Sequence, residues 1–415
     1  MDCFVDDYRI DCPAGAERVV LEDSIMHRNR LVTAGSKMLG NFVSPIDATV
    51  VSRLDAAGIK ILGRTRMGEF GIADLFTDAR TVESGAVSAV AGGAAEFALC
   101  NDYTGSVRQQ AVIRGLCYIH PTYGTISRYG LIPAVPSMDQ IGILCKTPAD
   151  GERLLPIIAG YDAKDGAMRS NSEFGIRNSE YGENQVSYSA GLRIGVPENV
   201  IERTSRKSMV QEFVKDFCDS VLDDPNSTLE SFVNNSEFRI PKSEFSLNPE
   251  IRIDTAIFEL KHYKVFTQVM RILCCAELSG NLSRYDGVKF GHRADSFSDL
   301  RELYTKSRTE GLGPDAKLAV IIGAMVLSRD YYTRYYDKAM RIRRLIKESL
   351  EFSKYDAIIL PALSDSPDEA LALHALPQLC GLPSVTVPFR GSGITLIADA
   401  KNENVLFSIL RRFEI

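Results

Sequence analysis

Through the N-terminal third, short apolar runs alternate with helical spacing. Residues 17–21 (ERVVL) read as a strand. Residues 47–57 (DATVVSRLDAA) read as a helix with Asp47 as N-cap, and Ile59 to Leu62 as the strand after it. Strand, helix, strand at this spacing predicts an α/β sheet with crossover helices. Residues 85–99 (GAVSAVAGGAAEFAL) are small-sided enough to press a helix closely onto a sheet, and predict a buried core helix. Residues 191–197 (GLRIGVP) predict another strand, and 208–222 an amphipathic helix. Residues 223–250 are rich in Asn, Ser, Pro and Asp and read as a surface excursion rather than a linker. Residues 316–352 are helical with a break near Ser328. Residues 355–360 (YDAIIL) form a buried strand stopped by Pro361, and 384–389 (SVTVPF) form the last clear core strand. There is no internal repeat, so one α/β domain is expected across residues 1–415.

Composition narrows the function classes. Of 415 residues, 45% are hydrophobic and 25% charged, which is the balance of a globular protein with a sizeable core. The net charge of -6 argues against a polyanionic partner held by bulk charge. Nine cysteines, an odd number with no CxxC pair, point to free thiols in a reducing compartment. The adjacent Cys274 and Cys275 suit a buried helix better than a disulfide. Five histidines stand at no zinc-ligand spacing, so no metal is expected. No run of 18 apolar residues predicts a membrane span. The acidic first 15 residues lack the pattern of a signal or transit peptide, so the expected compartment is the cytoplasm. No phosphate-cradling GxxxxGK[ST] loop occurs, and no cofactor is expected in this chain. The stretch from Tyr331 to Lys347 interleaves tyrosines with Arg334, Lys338, Arg341, Arg343 and Arg344. It reads as a core-facing helix with a solvated basic face, with RNA contact as the alternative.

Five segments, in order, carry a resemblance. They are TAGSKMLGNFVSPIDATVVSRL (33–54), ALCNDYTGSVRQQA (98–111) with PTYGTISRYGLIPAVPSMDQIG (121–142), AELSGNLSRYDGVKFGHR (276–293), SRTEGLG (307–313) and CGLPSVTVP (380–388). Together they resemble the amidase-signature family, and within it the A-type subunits of tRNA-dependent amidotransferases. The resemblance implies a mixed β-sheet flanked by helices. It also implies association with the amidotransferase subunits B and C, and with tRNA through that complex. In the family the complex converts Glu-tRNA(Gln), or Asp-tRNA(Asn), using glutamine and ATP, with the ATP chemistry on another subunit. Relative to the family, the helical segment before the first strand is largely missing. The stretches before Gly85 and between Pro361 and Leu376 are shortened.

The family's chemistry uses a serine nucleophile, a relay serine on a cis peptide bond, and a lysine that burial keeps neutral. The family's DTGGSIRQ corresponds to Asp102–Gln109, which puts Ser106 at the nucleophile position. As a bare sequence feature, Ser106 reads as a helix N-cap. The family's IAVKDNI aligns with Val19–Ile25, so Glu22 replaces the lysine. Counting back from the nucleophile puts Val82 at the relay position, with Ser84 or Thr81 as substitutes. In the oxyanion loop, Tyr103 and Thr104 replace a threonine and a glycine, and Gly105 is kept. Ala319 replaces the glutamine-binding arginine, and Leu371 its acidic partner. The expectation is a structural subunit with a degraded glutaminase site. The alternatives are an amidohydrolase built on Ser106 with Glu22 or Ser84, and a stand-alone pseudoenzyme.

Overall fold

The computed structural model describes residues 3–7, 15–77, 82–168, 192–222 and 253–411. The expected excursion at 223–250 and the relay candidate Thr81 lie outside the described residues. The strands are β1 (Phe4–Asp7), β2 (Arg18–Glu22), β3 (Lys60–Thr65), β4 (Phe97–Asn101), β5 (Cys117–His120), β6 (Ile141–Cys145), β7 (Leu192–Pro197), β8 (Ile253–Phe258), β9 (Ala357–Pro361), β10 (Ser384–Phe389) and β11 (Ser392–Ala398). They form one sheet in the order β1-β3-β2-β4-β6-β5-β10-β11-β9-β7-β8. Strands β3, β2 and β4 run parallel, as do β9, β7 and β8, while the joints between these groups are antiparallel. This is the mixed sheet that the resemblance implied.

Helices α1 (Thr49–Ala56), α2 (Gly85–Ala91), α3 (Ser106–Ile113), α4 (Pro148–Ile158), α5 (Glu198–Ile201), α6 (Lys207–Leu222), α7 (Phe266–Leu282), α8 (Leu300–Gly311), α9 (Pro314–Leu327), α10 (Lys338–Glu348), α11 (Pro367–Cys380) and α12 (Glu403–Leu410) cover both faces. Strand alternation decides which residue meets which layer. In β2, Val19 and Leu21 join a core that also takes Val50, Leu54, Leu155 and Phe407. Val20 points the other way, toward Ala86, Val90 and Val107 of α2 and α3. In β9, Ala357 and Ile359 share the first core, whereas Ile358 and Leu360 meet a helical layer with Leu273, Ala319 and Leu376. Strands buried on both faces read as continuous apolar runs, which is why these were legible.

Four local expectations change. Asp47 does not cap α1: the N-cap is Ala48, without a side-chain bond, and the Asp47 carboxylate accepts instead from the Arg28 N–H at 2.7 Å. The helix expected over 85–99 ends at Ala91. Gly93 adopts a positive φ, and Phe97–Asn101 leave as strand β4. Strand β9 includes Pro361 as its last residue, paired with Ile394. Residues 384–389 are not the last strand. Arg390 and Gly391, with φ of 45° and 74°, make a two-residue turn into β11. The break near Ser328 is present, since Ser328 closes α9.

Candidate functional site

The site forms at the carboxyl ends of the parallel strands β2, β3 and β4, where open α/β sheets leave a crevice. Strand β4 passes through a short loop directly into α3. The Asp102 carboxylate accepts from the N–H groups of Val107 (3.0 Å) and Arg108 (3.1 Å), two of the free donors at the start of α3. It also takes the Arg108 Nε at 2.8 Å, in an ion pair fully buried on both sides. Gln378 donates to the Asp102 carbonyl at 2.6 Å. The loop from Tyr103 to Ser106 is thereby pinned as an arc. Gly105 completes it with a φ of 87°, and a side chain there would lie 2.5 Å from Cγ of His374. Only glycine meets both demands. Gly105 is therefore the N-cap, and Ser106 is the first residue of α3, not its cap.

Ser106, Glu22, Val82, Ser84, Tyr103 and Thr104 line one pocket with about 440 Å³ of empty space, part of it open to solvent. The structure thus gathers residues that are up to 84 positions apart in sequence. Glu22, at the end of β2, is 3% exposed. Its Oε2 accepts from Ser24 Oγ at 2.7 Å and from the Asn101 N–H at 3.0 Å. Burial raises its pKa to about 7, against the pull of those two bonds and helped by the negative charges of Asp102 and Asp139. Asn101 also donates to Asp139 at 2.9 Å. Burial raises that second carboxyl to about 6.

The other positions are held more firmly than their sequence suggests. Ser84 caps α2 by accepting from the Val87 N–H. Gln110 of α3 clamps the approach to it, accepting from the Ser84 N–H and donating to the Val82 carbonyl, each at 2.8 Å. No peptide bond among the described residues is cis. Tyr103 is buried and donates to the Phe70 carbonyl at 2.9 Å, so its ring belongs to the helical layer. Thr104 donates to Asp74 at 3.4 Å. Ala319 and Leu371 do not line the pocket. Both are buried in the helical layer, Ala319 at 0% and Leu371 at 2% exposure.

Sequence reading missed Asp74, Glu83, Asn101 and Gln110, which also line the pocket. Asp74 sits in a single 3-10 turn and Glu83 just before α2, so neither shows a periodic signal. The described lining residues include three carboxylates and no Lys, Arg or His. Among the described residues, no cluster of His, Cys, Asp and Glu is arranged to hold a metal ion. No helix among them is long and apolar enough to cross a membrane. Chemically, the site offers a hydroxyl at a helix N-terminus and a carboxyl that titrates near neutrality.

The family model for amidases matches residues 19–75, 84–237 and 251–390. The chain belongs to the amidase family. The breaks in the match include residues 76–83, which contain Val82, the position counted back to the relay serine. Among amidase-family relatives, the chain is 32% identical to the A-type subunit of the glutamyl-tRNA(Gln) amidotransferase of Burkholderia lata, covering 95% of this chain and 82% of that one. Among solved structures, the A-type subunit of the same enzyme from Thermotoga maritima superposes with a TM-score of 0.67 at 24% identity, over 99% of this chain and 87% of that one. A peptide amidase from Stenotrophomonas maltophilia gives 0.69 at 21% identity, over 96% and 82%. These two structures share the amidase fold with this chain. The expected fold class is borne out.

Proposed function

We propose that this chain is an A-type subunit of a tRNA-dependent amidotransferase whose own glutaminase site no longer turns over. In this role it acts mainly as a structural partner of subunits B and C, and meets tRNA only through that complex. The names of its relatives support the assignment. The loss of turnover rests on one observation: the described pocket lining around Ser106 carries no basic side chain, and Glu22 stands where the resemblance places the lysine. A serine hydroxyl needs a positioned acceptor for its proton. Among the described residues, no hydrogen bond joins Ser106 Oγ to Glu22, and Val82 offers no relay hydroxyl. Removing the base from such a constellation typically costs about 10⁴ to 10⁶-fold in rate. Ammonia would then reach the complex from solution rather than from glutamine.

The test is ammonia release from glutamine by the wild type beside Ser106→Ala. The expected result is equal, background rates for both. A second reading has its own support: Glu22 titrates near 7, where a general base works best, and shares the pocket with Ser106. Turnover that vanishes in Ser106→Ala and falls in Glu22→Gln would establish that hydrolase and overturn the structural role.

A further inference from the structure

Two polar atoms in the pocket are left without partners. Glu22 uses Oε2 for both of its hydrogen bonds, to Ser24 and Asn101, and its Oε1 has none among the described residues. Ser106, at 7% exposure, likewise has no side-chain hydrogen bond among them. Both side chains are more than nine-tenths buried, and both line the same pocket. Neither atom is sealed from solvent, so both stand open to a ligand that enters the pocket.

The chemistry of the lining says what would fill it. Glu22, when ionised, asks for a donor, while Glu83 stands at the exposed rim of the same pocket with one oxygen taken by Ser88. The described lining brings no positive charge to balance the ionised Glu22. A neutral amide would satisfy the hydrogen bond but leave the charge. A divalent metal wants several converging oxygen ligands, and no such cluster is present among the described residues. An N–H donor that is itself cationic satisfies both demands.

We propose that this pocket binds a small protonated amine, with Glu22 as its counter-ion and Ser106 Oγ receiving a second N–H. The proposal rests on the function proposed above, in which hydrolysis is lost: the pocket persists as a ligand site without turnover.

Binding of this kind is coupled to a proton. Burial holds Glu22 near pKa 7, and the ammonium pairs only with the ionised form. At pH 6.5 about three-quarters of Glu22 is protonated, so each bound amine releases about 0.8 of a proton. Affinity therefore rises with pH up to about 7 and falls about tenfold per unit well below it. It stays level above 7 until the amine itself loses its proton.

The experiment is calorimetric titration of the full chain with methylammonium chloride. It is run at pH 6.5 in two buffers of different ionisation heat, with acetamide as the neutral probe and sodium chloride as the ionic control. The expected result is saturable binding with a dissociation constant on the order of a millimolar, a buffer-dependent heat from proton release, and no comparable acetamide binding. Ser106→Ala should weaken binding severalfold while keeping the proton release. Glu22→Gln should abolish both. Should Glu22→Gln fail to fold, the buffer dependence of the wild type and the Ser106→Ala result still decide. Absence of saturable binding, binding without proton release, or acetamide binding as tightly as methylammonium would each overturn the proposal. Because no turnover is read, Ser106-dependent glutaminase activity would overturn the loss of hydrolysis and leave this result intact.

Discussion

Glu22 shows how much one residue's setting adds to its identity. Its sequence position marked it as the substitute for a lysine. Its titration was not legible there, because the burial that sets it comes from β4 and α3, more than 70 residues away. That titration has a stability consequence. Folded Glu22 holds its proton up to about 7, whereas the ordinary value is 4.5. The native state therefore binds the proton more tightly than the unfolded chain, and stability falls as pH rises from about 4.5 to 7. At pH 8 the ionised native form carries a cost of about 3 kcal/mol. Glu22→Gln cannot ionise and escapes that cost. It should melt higher than the wild type at pH 8 and lose the advantage at pH 5, as read by calorimetry or circular dichroism. An identical difference at both values would show that Glu22 is not desolvated as the structure has it. His374 has the opposite sign. Burial and the nearby Arg108 lower its pKa to about 4, so its neutral form suits the fold and it withdraws stability as pH falls from about 6.5 toward 4. Ser106 and Gly105 were singled out by their place in the motif resembling the family's DTGGSIRQ, whereas the cap reading of Ser106 from the bare sequence fell to Gly105. Asp74 and Glu83 were not, because their place in the pocket follows from chain path alone.

At the level of elements, periodicity revealed the doubly buried strands, and turn chemistry was the weak point. The Arg390–Gly391 turn lacks the Asn-Gly or Asp-Gly pair that usually announces such a hairpin, so β11 went unread. The packing of α9 on α7 explains a second difference. Ala316, Ala319 and Gly323 share the buried face of α9. A side-chain carbon on Gly323 would lie 2.5 Å from Ser279 Cβ and 2.7 Å from the Cys275 carbonyl carbon. The helices are this close because the residues between them are small. Ala319 thus serves a tight helix crossing, where an arginine does not fit without prying the pair apart. Gly323→Ala should destabilise by about 1–3 kcal/mol in denaturant melts, with ligand binding in the pocket unchanged once folded. A neutral effect would mean that α9 moves away at little cost. The basic face of the helix after α9 was read as solvated. Arg341 and Arg344 do stand exposed, paired with Asp337 and Glu348, while Arg343 turns inward to the Leu379 carbonyl and Ser137.

For the whole molecule, the fold class was the most legible feature, because motifs in family order constrain topology more tightly than any single segment does. The binding surface is a separate matter. Arg284 and Arg293 stand exposed, and Leu318, Ile321 and Met325 form an outward apolar stripe on α9. Isolated apolar residues on a surface need no explanation, whereas a stripe at helical spacing suits a partner. Co-expression with subunits B and C should therefore yield a stable hetero-complex, measured by size-exclusion chromatography with light scattering. A chain that stays monomeric with both partners at micromolar concentration would favour the stand-alone pseudoenzyme.

The sheet order carries one more consequence. Strands β1 to β6 all come from residues before 146, and β7 to β11 from residues after 191, so the sheet divides along the chain as well as in space. The two halves are joined by a single antiparallel contact, β5 with β10, through Ser384 with His120, Val385 with Ile119 and Thr386 with Tyr118. Strand β10 begins more than 260 residues after β5 ends. During synthesis the first half must wait, with β5 as an unpaired edge, until β10 has been made. A message cut short just before codon 384 would therefore yield more than a protein lacking β10 and β11. It would yield two sheets with bare inner edges, β5 on one and β9 on the other, each a template for pairing with another chain. For this protein, a stop codon between β9 and β10 is an aggregation hazard rather than a mild truncation.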